Sequence, residues 1–249
     1  MIVSMKVSPD SRLRMALFTL AAIFLYFGNV SAKDGSFSLG YQRHEGNTDS
    51  ADLALNASIQ RERETYRVFL AGLSNYGEAG GIKNQEESEI DLRLELRFDR
   101  LFPYWDTNYY HNRFRNYDYR IATGPGVGYY FVKTDRSYLT ASYTLHYNKD
   151  RLIEAHENEM ESAYYMNKFE ERFKYKFTDT LKIKQKGIYR LSNKSADDYY
   201  LLCELKLVND LTKSLALEFV YVYDYQNMPE AEGVDKLDTS ASTLIKFKF

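Results

Sequence analysis

The sequence has a single cysteine, a single tryptophan, four prolines and four histidines in 249 residues. These scarcities exclude several classes of chemistry. A lone Cys203 cannot close an intramolecular disulfide, and it cannot build a thiolate metal centre. The histidines, His44, His111, His146 and His156, lack the spacing that would let two of them share a metal. There is no basic excess either: the formal net charge is -2, which speaks against a nucleic-acid partner. Long apolar runs are confined to one place, near the start. What the chain has in abundance is 23 tyrosines and 15 phenylalanines, an aromatic surplus that favours pleated strands over helices.

The apolar run follows Arg12 and Arg14 and reads ALFTLAAIFLYFG, from Ala16 to Gly28, before NVSA with its small residues Val30 and Ala32. Such a pattern predicts a secretory signal peptide over residues 1–32, cleaved after Ala32. The run is shorter than the roughly 20 residues of a membrane-spanning helix, an uncleaved anchor being the lesser alternative. Residues 33–249 then form one exported domain, and no later segment has the hydropathy of a spanning helix.

That domain beats with a period of two. In IDLRLELRF, the residues Ile90, Leu92, Leu94, Leu96 and Phe98 are apolar, and Asp91, Arg93, Glu95 and Arg97 between them are charged. Alternation of this kind belongs to a strand with two different faces. It recurs in LALNASI from Leu53, LTASYTLHY from Leu139, LALEFVYVYDY from Leu215 and TSASTLIKFKF from Thr239. Twelve such runs are predicted, near 36–43, 51–61, 65–76, 88–98, 105–115, 117–132, 137–148, 159–177, 181–192, 199–208, 212–226 and 236–249.

The connections mostly alternate between long, such as GEAGGIKNQEE, and short, such as TDT. A soluble sandwich has no need of that rhythm, whereas outer-membrane barrels have short periplasmic turns and longer outer loops. Period alone does not say whether the apolar faces meet a second sheet or lipid. The export signal, the loop rhythm and a last strand ending in Phe247 and Phe249, the pattern read by barrel-assembly machinery, all favour lipid. The prediction is a transmembrane antiparallel up-and-down β-barrel of about twelve strands, with Tyr41, Tyr76, Tyr147, Tyr164, Tyr199 and Tyr225 in an outer aromatic girdle. Phe98, Phe131, Phe177 and Phe249 mark the periplasmic rim.

The stretch YRIATGPGVGYYF carries Gly124, Gly126 and Gly128. A phosphate-cradling loop would continue into a helix, but Tyr129, Tyr130, Phe131 and Val132 continue as strand. Spaced two apart, the glycines share the inward face, where they let the strand bend and leave room for bulky neighbours. Pro125 cannot donate to a ladder, so a bulge is predicted at Gly124–Gly126. A second bulge is predicted to turn Glu171 inward, because Glu171 and Asn167 fall on the lipid face with Phe169, Phe173 and Tyr175. YRVFLAGL, from Tyr66, is apolar on both faces and leaves its orientation open.

DYRIATGPGVGYYF with its Arg120, LGYQRHEGNTDSADLALNAS with Gly46, Asn47 and Asp49, and the closing DTSASTLIKFKF resemble the salt-induced outer membrane protein family, a bacterial domain family of unknown function. The resemblance spans nearly all of residues 33–249. It implies fold and location, and the family's name implies a link to salt stress; it brings no activity and no catalytic residues. Members often carry an acid shortly before the position of Phe114, where this chain has Asn112 and Arg113.

Some barrels are lipid-modifying enzymes. His146 shares an inward face with Thr144 and Ser142, but no motif of such an enzyme surrounds it. No catalytic, cofactor or metal site is expected. Charge is more telling. Inward positions near periplasmic strand ends are mostly basic: Arg67, Arg93, Arg97, Arg172, Lys174, Lys182, Lys184, Lys206, Lys246 and Lys248. Outer loops are mostly acidic, with Glu45, Asp49, Glu78, Glu86, Glu87, Glu154, Glu157, Asp197, Asp198, Glu230, Glu232 and Asp235. The reading is a non-enzymatic outer-membrane barrel, a narrow anion-favouring channel or a salt-stress component of the envelope. Its expected partners are outer-membrane lipid and lipopolysaccharide, the assembly machinery and small anions. A lipid-modifying enzyme and a soluble periplasmic ligand-binding protein are the alternatives.

Overall fold

The computed structural model describes residues 34–44, 50–79, 82–156, 159–229 and 235–248. The signal segment 1–32, Gly46, Asn47, Asp49 and Phe249 lie outside them. The described residues form twelve strands: β1 (Asp34–His44), β2 (Ser50–Glu62), β3 (Tyr66–Ala79), β4 (Ile82–Leu96), β5 (Leu101–Asn112), β6 (Tyr117–Lys133), β7 (Ser137–His156), β8 (Glu159–Lys176), β9 (Leu181–Ser192), β10 (Tyr199–Asp210), β11 (Leu215–Gln226) and β12 (Leu237–Lys248). Each pairs antiparallel with its neighbours in the chain, and β1 pairs with β12 through Phe37↔Phe247 and Leu39↔Ile245 to close a barrel. Closure leaves no sheet edge, as a backbone in hydrocarbon requires.

The alternation of β4 becomes inside and outside: Arg93 and Glu95 are buried, while Ile90, Leu94, Leu96 and Phe98 are exposed. The same inversion runs round the wall. Leu205 and Leu207, Phe219 and Tyr221, and Ile245 and Phe247 face outward, and Lys168, Glu170, Asp150 and Glu218 are buried. Apolar side chains outside and charges inside suit a protein whose outer solvent is lipid. At the end with the short turns Phe98, Phe131 and Phe177 are exposed, the last two against Tyr129 and Tyr175. At the other end Tyr147 meets Tyr165, and Tyr199 lies between Tyr189 and Tyr225. Tyr164 is a correction: it is 8% exposed and points inward, so its neighbour Tyr165 takes the girdle position.

Several expected loops are strand. Residues 77–87 and 148–158 read as long connections, but β3 runs to Ala79, β4 starts at Ile82 and β7 continues to His156. Two hairpins therefore lengthen at the outer end, and Glu86, Glu87 and Glu154 belong to the wall. The fifth strand starts at Leu101 rather than at 105, bringing Phe102 and Tyr104 into the wall. Two tight turns use left-handed residues of the kind that tolerates them, Asp99 at φ 51° and Asn116 at φ 64°. Asn116 also ties the turn to β7: its side chain donates to the Glu154 carbonyl at 2.9 Å and accepts from the Glu154 amide at 2.8 Å.

The bulge predicted around Pro125 is absent. Pairing to β5 runs straight through Trp105↔Pro125, and pairing to β7 passes from Thr123↔Tyr147 to Gly126↔Thr144 in unchanged register. The missing donor is absorbed as a gap in one ladder, and the register shifts lie instead at Tyr117/Tyr119 and Tyr130/Val132. Nor does a bulge rescue Glu171: β8 runs in continuous register against both β7 and β9 there, through Ala141↔Glu171 and Glu171↔Gly187. Glu171 stays on the outer face.

Candidate functional site

The lumen is the candidate site, and its two walls are built differently. On the wall made by β4 to β8, the inward glycines of β6 give space to β5. A Cβ on Gly126 would strike the Tyr104 ring, and one on Gly128 the Phe102 ring. Without them the rings lean across the strand, Phe102 packing on Tyr130 at 4.8 Å between centroids, with all three rings buried. The phenol of Tyr104 shares a 2.6 Å hydrogen bond with Thr144 Oγ1, and the Arg93 guanidinium lies 4.4 Å from its ring centroid. The expected role of these glycines holds, although the bend was expected to come with a bulge.

Arg93 anchors a buried charge cluster. Its Nε donates to Asp106 Oδ1 at 3.0 Å and its Nη1 to Glu170 Oε1 at 3.1 Å, a link from β4 to β8 that crosses β5, β6 and β7. Lys168 donates to Asp106 at 2.7 Å, Arg172 lies 2.5 Å from Glu170, and His146 Nε2 is 3.5 Å from Asp106. Buried charges persist when paired and hydrogen-bonded in this way. Arg120, singled out by the family resemblance, stands opposite Asp150 in register and bonds it twice, at 2.9 and 2.7 Å. The phenol oxygens of Tyr117 and Tyr164 lie 2.8 Å from the same guanidinium. Asn112, where the family often has an acid, accepts the Arg115 amide at 3.0 Å and so closes the β5–β6 turn.

The facing wall, from β9 to β12 with the adjoining end of β8, is lined by lysine. Lys174, Lys184 and Lys206 are direct cross-strand partners in a row over β8, β9 and β10, and Lys176 faces Lys182 beside them. These side chains are half-exposed to the lumen, in contrast to the buried network opposite. Lys182 and Lys248 share Asp210 at 2.8 and 2.9 Å, Lys206 pairs with Glu204 at 2.8 Å, and Lys246 with Glu218 at 3.1 Å. Lys184 has no ion pair among the described residues. Val208 and Leu244 are buried among these stems.

The seven basic residues expected to form one lumen cluster therefore divide. Arg93 is sequestered in the packed network. Arg97 sits near the short-turn rim, held by Glu62 and the Arg63 carbonyl. Lys182, Lys184, Lys206, Lys246 and Lys248 form the basic wall. The outward odd positions of β12 place Phe247 at 50% exposure on the lipid face.

One element was not visible in the sequence. Arg115, in the β5–β6 turn, reaches Asp224 of β11 at 2.8 Å and Asp238 of β12 at 2.6 Å, on the opposite side of the ring. It bridges the outer mouth. Only the closed topology brings the three residues together.

A closed antiparallel wall with an apolar exterior, two aromatic rims and a charged interior defines a transmembrane β-barrel of the outer-membrane type. The chain belongs to the family described as Protein of unknown function, DUF481, which matches residues 37–249. The fold is similar to a NanC porin in a rhombohedral crystal form, with a TM-score of 0.51 at 8% identity over 86% of this chain and 97% of that one. It is also similar to the translocator domain of the autotransporter NalP from Neisseria meningitidis, with a TM-score of 0.50 at 10% identity over 99% of each chain. At such identities the likeness concerns fold alone. No curated protein matches the sequence.

Proposed function

We propose that this chain is a non-enzymatic integral protein of the bacterial outer membrane whose lumen gives small anions a narrow passage along the lysine wall. The observation that carries this reading is the row Lys174, Lys184 and Lys206. Like charges directly opposite one another across strands are destabilising, and the single carboxylate bonded within the row, Glu204 on Lys206, leaves excess positive charge facing the lumen. A half-exposed run of such charge in a low-dielectric wall concentrates mobile anions. The packed wall keeps the free cross-section small, in line with a strand number between filled and open barrels. The NanC likeness, to a protein called a porin, agrees with this reading without identifying a solute. A contribution to the envelope under salt stress is the physiological setting the family resemblance suggests.

The decisive measurement is conductance of refolded barrels in a planar bilayer under a salt gradient. The reversal potential is expected on the anion side for the natural chain, and to move towards the cation side in Lys184→Glu/Lys206→Glu. Folded barrels that never conduct, or a reversal potential indifferent to these two residues, overturn the passage and leave the fold untouched.

A further inference from the structure

Between the two aromatic rims, Glu171 is the one carboxylate among the outward-facing described residues. It is the fourth of seven outward positions on and just after β8, Tyr165, Asn167, Phe169, Glu171, Phe173, Tyr175 and Phe177, and therefore sits near mid-depth. A carboxylate there faces acyl chains, beyond reach of lipid headgroups at either surface. Gln185 of β9 lies beside it: the Glu171 carboxylate and the Gln185 amide both reach the space over Gly187. The wall is also polar higher up: Tyr143 donates to Asn167 at 2.7 Å and Asn167 donates to Asn193 at 2.8 Å, all three on the outer face. Outward positions on the other side of the barrel, Leu55, Ile59, Val68, Leu70, Ile245 and Phe247, carry no such seam.

We propose that the outer face of β7 to β9 is the contact surface for a second copy of this chain in the membrane, centred on Glu171 and Gln185. The pair is self-complementary. A carboxyl accepts and an amide donates, so a two-fold axis along the membrane normal sets each Glu171 against the other copy's Gln185, the isologous arrangement of most dimers. The contact covers mid-depth polar groups that would otherwise face hydrocarbon, where polar side chains act as glue between spanning elements. This surface does not depend on the lumen being open.

The test uses the full mature chain in mild detergent and in bilayers. Native mass spectrometry is expected to give twice the chain mass for the natural protein and for Glu171→Gln, which keeps the hydrogen-bonding groups. Glu171→Leu is expected to give the monomer. Heat-modifiable gel mobility shows whether each variant has folded, and leucine on a lipid face should not impair that. A second measurement needs no variant: Cys203, on β10 directly beside Gly187 in register, should join two copies through a membrane-permeant bismaleimide at a yield independent of protein density. A monomeric natural chain, a mass equal to one chain plus lipid, association with a different protein only, a dimer indifferent to Glu171→Leu, or crosslinking that merely tracks density each overturns the proposal.

Discussion

The two walls of the lumen solve the same problem, many inward charges in a narrow tube, in opposite ways. On β4 to β8 the buried charges around Arg93 and Arg120 have partners of opposite sign, several of them from non-adjacent strands, and the glycines of β6 make room for rings that fill what remains. On β9 and β10 lysines face lysines and stay half-exposed. The first wall is a core, held by desolvated pairs whose loss is expensive. The second is a surface that happens to lie indoors. Charge composition alone does not separate them; what separates them is whether a cation has buried carboxylates bonded to it, as Arg93 and Lys168 have and Lys184 has not among the described residues.

The sharpest way to break this contrast is to remove one charge from each side. Arg93→Ala leaves Asp106 and Glu170 buried with a partner gone, and is expected to lower barrel stability by about 3–5 kcal/mol, read as a fall in the urea midpoint of the heat-modifiable form. Lys184→Ala removes a like-charge contact and is expected to leave the midpoint unchanged or raise it by up to about 1 kcal/mol. Equal losses from the two substitutions would mean that the walls do not differ in kind.

Glycines sharpen the same comparison at smaller amplitude. A Cβ on Gly124 would collide with the Leu145 carbonyl oxygen, a backbone atom of the neighbouring strand that cannot swing aside. Gly124→Ala is expected to cost about 1–3 kcal/mol, as overpacking does, and to slow assembly into the folded form. At Gly187, on the outer face, the nearest atom to an added Cβ is a side-chain oxygen of Glu171 at 3.6 Å. Gly187→Ala is expected to stay within about 0.5 kcal/mol of the natural chain. A neutral Gly124→Ala would show that the close strand approach is not needed.

How much of this was legible beforehand follows from what a period of two encodes. Alternation in Ile90–Phe98 or Leu215–Tyr225 assigns each residue to a face, and twelve runs with an even count fix an up-and-down wall. It does not say where a strand with polar residues on its outer stretch ends, so β3, β4 and β7 run further than expected, and it does not say which residue lies opposite which, from which the other misreadings come. Pro125 was expected to force an extra residue into the strand, but Gly124 beside it lets the neighbouring backbone come close, and the ladder skips the proline instead. Glu171 was expected to turn inward because a charge in lipid looks untenable; β8 keeps its register instead, and the carboxylate stays outside beside the Gln185 amide, over Gly187. Tyr164 and Tyr165 are adjacent tyrosines, either of which could serve the girdle, and the choice falls to Asp150 and Arg120, which hold Tyr164 inside. Arg115 meeting Asp224 and Asp238 depends on ring closure, which no local pattern contains.

Arg115 also supplies the most conditional prediction. It bridges the two walls at the outer mouth, and its pair with Asp238, 56% exposed, is worth under about 1 kcal/mol to the fold. Asp224 is 17% exposed and stands directly opposite Asp238, so Arg115→Ala leaves two acids facing each other and should lower the urea midpoint modestly, by less than Arg93→Ala does. Its distinguishing effect belongs to permeation. With the bridge gone, unitary conductance in a planar bilayer is expected to rise, and anion preference, set by the lysine wall at the other end, to persist. Salt acts on the same contact: the Debye length falls from about 10 Å at 0.1 M to about 3 Å at 1 M, so partly exposed pairs loosen as ionic strength rises. In the natural chain conductance should then climb faster than bulk conductivity across that range, whereas in Arg115→Ala the two should run in proportion. Proportional behaviour in both proteins would mean that the bridge does not restrict the mouth, and that the packed wall alone sets the width of the passage.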